Sequence, residues 1–245
     1  MRQAVILAAG ILGAGAGALI PRPAHRLSVP ADSPPRAVCH HCQLAFQTGV
    51  RGWVVVGNRC ANCARNLGPA WPLLSGILTV TSTVLAWRLG PTTTDNLVLL
   101  AAWLLVAGAG LLLACVDVAV RRLPTPIVLA TAAALVGVIG VAATVSRQPW
   151  MLVNSITAGG LLAGIYLLLA LLGGGMGMGD VRLAGMLGLA LGTTTSTAVL
   201  FGAVLPYLLA APHAVALGVA ARGRSHLAFG PYLVSGAVLA VLATG

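Results

Sequence analysis

Residues 150–182 read WMLVNSITAGGLLAGIYLLLALLGGGMGMGDVR, an apolar run that breaks at its end into GGGMGMGDVR, with five glycines, two methionines and an aspartate between Gly173 and Arg182. From Trp150 to Leu172 there is no charged side chain, and the run is long enough to cross a bilayer as one helix, which takes roughly 20 residues. Hydrocarbon offers the backbone no hydrogen-bond partner, so such a run must satisfy its own amides and carbonyls, as a helix does. The glycines from Gly173 to Gly179 interrupt that helix and let another chain approach closely. Asp180 follows where the next apolar run begins, a position that suits a helix N-cap. An ionisable group kept beside hydrocarbon is costly and is therefore a functional candidate.

The same pattern recurs outward in both directions. Apolar runs fall at about Ala4–Ile20, Ala70–Trp87, Asn96–Val116, Pro126–Val145 and Trp150–Leu172, then a short one near Val181–Leu191, followed by Ala198–Leu217 and Leu227–Thr244. The chain of 245 residues is 58% hydrophobic and 7% charged, where an average soluble domain carries about 25% charged residues. The expected fold is an all-α polytopic membrane protein of about eight transmembrane helices. The net charge of +10 is made by fourteen arginines scattered between apolar runs, without a basic stripe, so nucleic acid is not an expected partner and the lipid bilayer is.

One polar stretch stands out, residues 21–69, bearing six arginines and the pairs Cys39-x-x-Cys42 and Cys60-x-x-Cys63. Two such knuckles bring four thiolates toward one point and fit tetrahedral Zn(II) as a structural ion; a pair of disulfides is the alternative in an oxidising compartment. Arginine-rich short loops stay in the cytoplasm, which places this loop inside and favours the metal. Too small to bury a core, the loop would draw much of its folding energy from the ion. Residues 1–20 also have features of a signal peptide, but cleavage would leave the arginine-rich loop outside. The expected organisation is a first transmembrane helix over 1–20, a cytoplasmic zinc-binding loop over 21–69 and a seven-helix membrane core over 70–245.

With the amino terminus outside, eleven arginines fall inside and three, Arg2, Arg88 and Arg147, outside. This topology puts Asp117, at the end of the third run, and Asp180 at the same cytoplasmic depth. Two carboxylates held close share a proton, one acting as base toward water and the other as acid toward a scissile carbonyl. An Asp117–Arg121 ion pair at helical spacing and a capping role for Asp180 are the simpler alternatives. Helix-end charge favours an anion on Asp180 and disfavours one on Asp117, so the shared proton is expected on Asp117. Asp32 and Asp95 suit solvated or capping roles.

Gly177-Met178-Gly179-Asp180-Val181-Arg182 resembles the GxGD motif of the type IV prepilin peptidases, and Cys115-Val116-Asp117 with Leu123-Pro124 is similar to that family's other catalytic segment. Ala228-Phe229-Gly230-Pro231-Tyr232-Leu233 resembles its closing motif, and the double CxxC resembles its zinc-binding loop. The resemblance implies a membrane aspartyl endopeptidase of the bacterial inner membrane that removes the leader of prepilins or pseudopilins, in pilus or secretion systems, after a glycine at the cytoplasmic face. It implies Asp117 and Asp180 as the catalytic pair, with Gly177, Met178 and Gly179 along the substrate and Cys39, Cys42, Cys60 and Cys63 on zinc. Backbone around the glycines would pair with an extended leader.

Family members often also methylate the new amino terminus with S-adenosylmethionine. Here the stretch Gln47–Arg59 has no acid and Ser75 stands where glutamate is common, so peptidase action without N-methylation is expected and S-adenosylmethionine is left open. Paired aspartates beside a glycine-broken helix also suit an ion-coupled transporter, and an inactive assembly factor of a pilus or secretion system is a further alternative.

Overall fold

The computed structural model describes residues 2–30, 33–90, 93–173, 176–221 and 227–244. Asp32, the Asp95 side chain, Gly174, Gly175, Arg222, Arg224 and His226 lie outside the described residues. Helices α1 (Arg2–Leu19) and α2 (Pro21–Leu27) are followed by the cysteine loop, which contains one short 3-10 turn at Val50–Gly52. Then come α3 (Trp71–Leu89), α4 (Thr94–Val120), α5 (Thr125–Val145), α6 (Trp150–Gly173), α7 (Met178–Leu191), α8 (Ser196–Ala221) and α9 (Gly230–Thr244). No β-strand occurs among the described residues; two isolated antiparallel bridges, Val38 with Ala45 and Arg59 with Asn66, close the cysteine knuckles.

The protein is an all-α multi-pass membrane protein. Among the described residues, six helices are long and apolar enough to cross a bilayer, whereas α7 and α9 have 14 and 15 residues. At 1.5 Å per residue those two reach about 22 Å, short of the roughly 30 Å hydrocarbon core. Large apolar side chains point outward, among them Ile11, Leu171, Leu172 and Leu200, each more than 60% exposed. In water such a surface would drive association; against acyl chains it is the normal exterior.

Two boundaries depart from the sequence-based expectation. The first helix does not stop at Ile20: Pro21, at the first position of α2, has no amide to lose, and the chain carries on as helix to Leu27. Residues 21–27, expected in the loop, therefore prolong the first span. The short seventh helix begins earlier than expected, at Met178, so Met178 and Gly179 are its first residues and not loop.

Helices α1 and α3 pack as a pair, as do α6 with α7 and α8 with α9, and α4, α7 and α9 touch one another at the centre. Small residues make the closest approaches possible. A Cβ at Gly188 of α7 would lie 2.7 Å from the Ala158 carbonyl oxygen of α6, closer than any side chain tolerates. Without water to drive helices together, this kind of backbone approach supplies the dispersion contact that holds them. The buried core includes Trp103, Tyr166, Leu113, Leu135 and Leu187.

Candidate active site and metal cluster

The last turn of α4, the first turn of α7 and the first turn of α9 meet at one point. Asp117 stands three residues before the end of α4 and is 5% exposed. Beyond Val120 the chain leaves the helix through Arg121, which takes the left-handed conformation (φ 52°, ψ 44°) while its amide donates to the Asp117 carbonyl at 2.7 Å. The sharp turn this makes lets Leu123 and Pro124 lead directly into α5.

Asp180 was expected to cap α7. The cap position is instead held by Gly177, and Asp180 sits in the first turn, where its Oδ2 accepts the Gly177 amide at 3.2 Å. A carboxylate reaching back to the cap amide satisfies one of the free donors of a helix start and lies in the favourable field of that helix end. Asp180 is half-buried.

Asp117, Asp180, Gly177, Met178 and Gly179 line a single cavity of about 440 Å³, together with Leu123, Arg121, Arg122 and Arg182. Every residue expected from the sequence to be catalytic or substrate-binding thus reaches one space. Gly179 lies against Leu123, whose Cβ is 3.0 Å from where a Gly179 Cβ would stand. Arg182 donates from Nη1 to Thr125 Oγ1 at 2.9 Å, tying α7 to the start of α5.

Gly230, the first residue of α9, donates its amide to Asp117 Oδ2 at 2.8 Å, a contact between residues 113 apart. A Cβ at that position would meet the same oxygen at 2.8 Å, so only glycine allows the approach. Asp117 therefore faces the amino-terminal end of α9 as well as the carboxy-terminal end of α4. The helix-end asymmetry expected from the sequence, which put the shared proton on Asp117, is offset by this second helix.

Two tyrosines, Tyr166 and Tyr207, escaped the sequence reading. Tyr166 of α6, fully buried, stacks on Tyr207 of α8 with centroids 5.6 Å apart, and Tyr207 lies 5.1 Å from Phe229. Each sits inside an apolar run where an aromatic looks like core; the usable signal was that the chain has three tyrosines in all and Tyr232 is already in the closing motif. His213 of α8 hydrogen-bonds the Tyr232 hydroxyl.

In the polar loop, the ligand atoms of Cys39, Cys42, Cys60 and Cys63 lie within 4.8 Å of one another and could hold a metal ion. The crossed pairs Cys39–Cys63 and Cys42–Cys60 stand at 3.9 and 3.6 Å, and all four thiols are free. A tetrahedron with metal–sulfur bonds of about 2.3 Å has edges of about 3.8 Å, so the sulfurs fit such an ion. The knuckles are near copies: Cys39 N donates to Leu44 O and Cys60 N to Arg65 O, both at 2.9 Å, and Gln43 (φ 56°) and Ala64 (φ 53°) turn through the left-handed region just after each second cysteine. The His40 and His41 rings lie tilted against each other, 3.7 Å between centroids, and His40 is also 5.1 Å from the His25 ring. Desolvation first, then His41 and Arg36, holds the His40 imidazole below its ordinary value.

Residues 98–212 match the model of the type IV leader peptidase family. The match takes in Asp117 and Asp180 and leaves outside it both the cysteine loop and Gly230. No curated protein and no solved structure shows a significant match.

Proposed function

On the premise that residues 98–212 belong to the type IV leader peptidase family, we propose that this chain is a membrane aspartyl endopeptidase that removes the leader of prepilins or pseudopilins, with Asp117 and Asp180 as its catalytic pair. The observation that carries the reading is the shared cavity: two of the four acids of the whole sequence, 63 positions apart by their numbers, open into one space. Each lies at a helix end, where coupling acids of a transporter would sit near the middle of a span.

In the proposed reaction one carboxylate takes a proton from a water molecule, whose oxygen attacks the scissile carbonyl, while the protonated partner gives its proton to the carbonyl oxygen. The tetrahedral intermediate collapses, the C–N bond breaks, and the proton taken from water passes to the departing amine. Gly230 holds Asp117 from behind and Gly177 holds Asp180, so neither carboxylate must find its orientation during the reaction. The exposed start of α7 at Gly177 and Met178 forms the rim along which the extended leader lies.

The arginine distribution supports a cytoplasmic position for this cavity, and the resemblance to the prepilin peptidases implies the bacterial inner membrane and cleavage after glycine. The four-cysteine group supports a structural Zn(II), held by Cys39, Cys42, Cys60 and Cys63, that folds residues 28–69 onto the core and takes no part in the chemistry. The loop offers a sulfonium only Asp32 as a carboxylate, which favours peptidase action without methyl transfer.

The test is cleavage of a model prepilin by purified protein in liposomes, followed by product mass. Asp117→Asn and Asp180→Asn should each lower the rate by on the order of 10²–10⁴-fold with folding intact. Full activity in either variant would sink the dyad, and an added 14 mass units, about one methyl group, would show that methyl transfer occurs as well.

A further inference from the structure

On the face of α4 turned away from Asp117, Cys115 and Ala119 wall a second cavity of about 290 Å³. His25 of α2 closes one side, and Arg36 and His40 of the cysteine loop close another. His25 is 5% exposed, and its Nε2 has no hydrogen-bond partner among the described residues. Nearby on α2, Arg22 is 8% exposed with its guanidinium 4.6 Å from the Phe46 ring, an apolar neighbour and not a counter-charge. Among the described residues no acidic side chain lines the cavity.

Such a cluster is unstable on its own terms. A buried polar nitrogen without a partner costs roughly 1–3 kcal/mol, and the half-buried Arg36 sets a positive charge in the same cavity. A metal ion would not relieve it: Arg36 repels a cation, and among the described residues the metal-holding group consists of the cysteines alone. An anion with several acceptor oxygens would, because the guanidinium can grip two of them and the rings donate to others.

We infer that this cavity is a binding site for a phosphate group, held by Arg36, His25 and His40. The donors come from two segments, His25 from α2 and Arg36 with His40 from the cysteine loop, and together they offer more hydrogen bonds than a single planar carboxylate accepts. The apolar wall of α4 suits a phosphate that carries glycerol and acyl chains. Two sources share this chemistry, the headgroup of an anionic phospholipid and free inorganic phosphate. The lipid source rests on the membrane topology proposed above; the phosphate site does not.

The experiment uses the full-length, zinc-loaded protein in a neutral, phosphate-free detergent. Inorganic phosphate is titrated by calorimetry, and retention of phosphatidylglycerol over phosphatidylcholine is read by native mass spectrometry. At least one probe should bind, and Arg36→Gln and His25→Gln should each weaken it roughly tenfold, the cost of about one charge-assisted hydrogen bond. Arg36→Lys should keep part of the binding, and Arg59→Gln, which removes the same charge from an exposed position outside the cavity, should change nothing. Binding of phosphate alone assigns free phosphate, and selective phosphatidylglycerol retention assigns the headgroup. If neither probe binds, or if Arg59→Gln costs as much as Arg36→Gln, the site does not exist. Should His25→Gln misfold, the less buried Arg36→Gln carries the test. Binding is read without turnover, so its failure leaves the peptidase reading in place, which falls only on cleavage data.

Discussion

A methyl group on residue 230 would stand 2.8 Å from Asp117 Oδ2 and 3.2 Å from its Cγ, so the amide that orients this carboxylate can come only from glycine. Gly230→Ala should swing the carboxylate away and lower cleavage by roughly 10²-fold, the cost of misplacing a catalytic group by about 1 Å. A rate measured beside an unchanged thermal melt checks it; a variant that cleaves normally would remove Gly230 from the site. In the metal knuckle, Ala64 holds φ 53°, a conformation that costs a residue with a Cβ about 1 kcal/mol relative to glycine. Ala64→Gly should therefore hold zinc roughly fivefold more tightly against a competing chelator. Looser retention would mean that the Ala64 side chain contributes packing that outweighs its strain.

At the scale of elements, α7 is placed by what it lacks. It is too short to span hydrocarbon and presents glycine to α6 at Gly188. Gly188→Leu has no room beside the Ala158 carbonyl oxygen, 2.7 Å from the missing Cβ, and should push α7 outward. Overpacking of this kind costs about 1–3 kcal/mol, and it should lower both the melting temperature and the cleavage rate, since Asp180 rides on α7. Loss of stability with cleavage untouched would show that the first turn of α7 is positioned independently of its packing. The helix itself was legible in the sequence, but its start was not. Met178 and Gly179 read as glycine-loop, yet the Asp180 carboxylate bonds back to Gly177 and draws both residues into the first turn.

For the whole molecule, the cysteine loop and the helical core have separate sources of stability. The loop's own core is Cys39, Cys60 and Leu67, with Cys42, Cys63 and Phe46 packed against it, too little to fold without an ion. Stripping the metal should leave the helical circular dichroism nearly intact while residues 28–70 become open to protease. Collapse of the helical signal would instead make the loop part of the core's stability. Topology can be checked as directly: a periplasm-active phosphatase fused after Thr244 should be active if all eight spans, α1 with α2 counted as one, cross the membrane. An inactive fusion would make α7 or α9 re-entrant.

What the sequence determined by itself was whatever depends on solvent and on local chemistry. Uncharged runs of about 20 residues must be helices in a bilayer, two CxxC pairs must turn their thiols inward, and an aspartate after glycines marks a helix start. Asp117 and Asp180 could be singled out because the chain has only four acids and the arginine distribution puts these two at one membrane depth. Tertiary structure alone decided the rest. The amide of Gly230 reaching Asp117 across 113 positions, the stacking of Tyr166 on Tyr207, and the unpartnered His25 sharing a cavity with Arg36 each depend on which elements touch. Those contacts are set by how closely small residues let backbones approach, and that property of pairs of helices is written in neither helix alone.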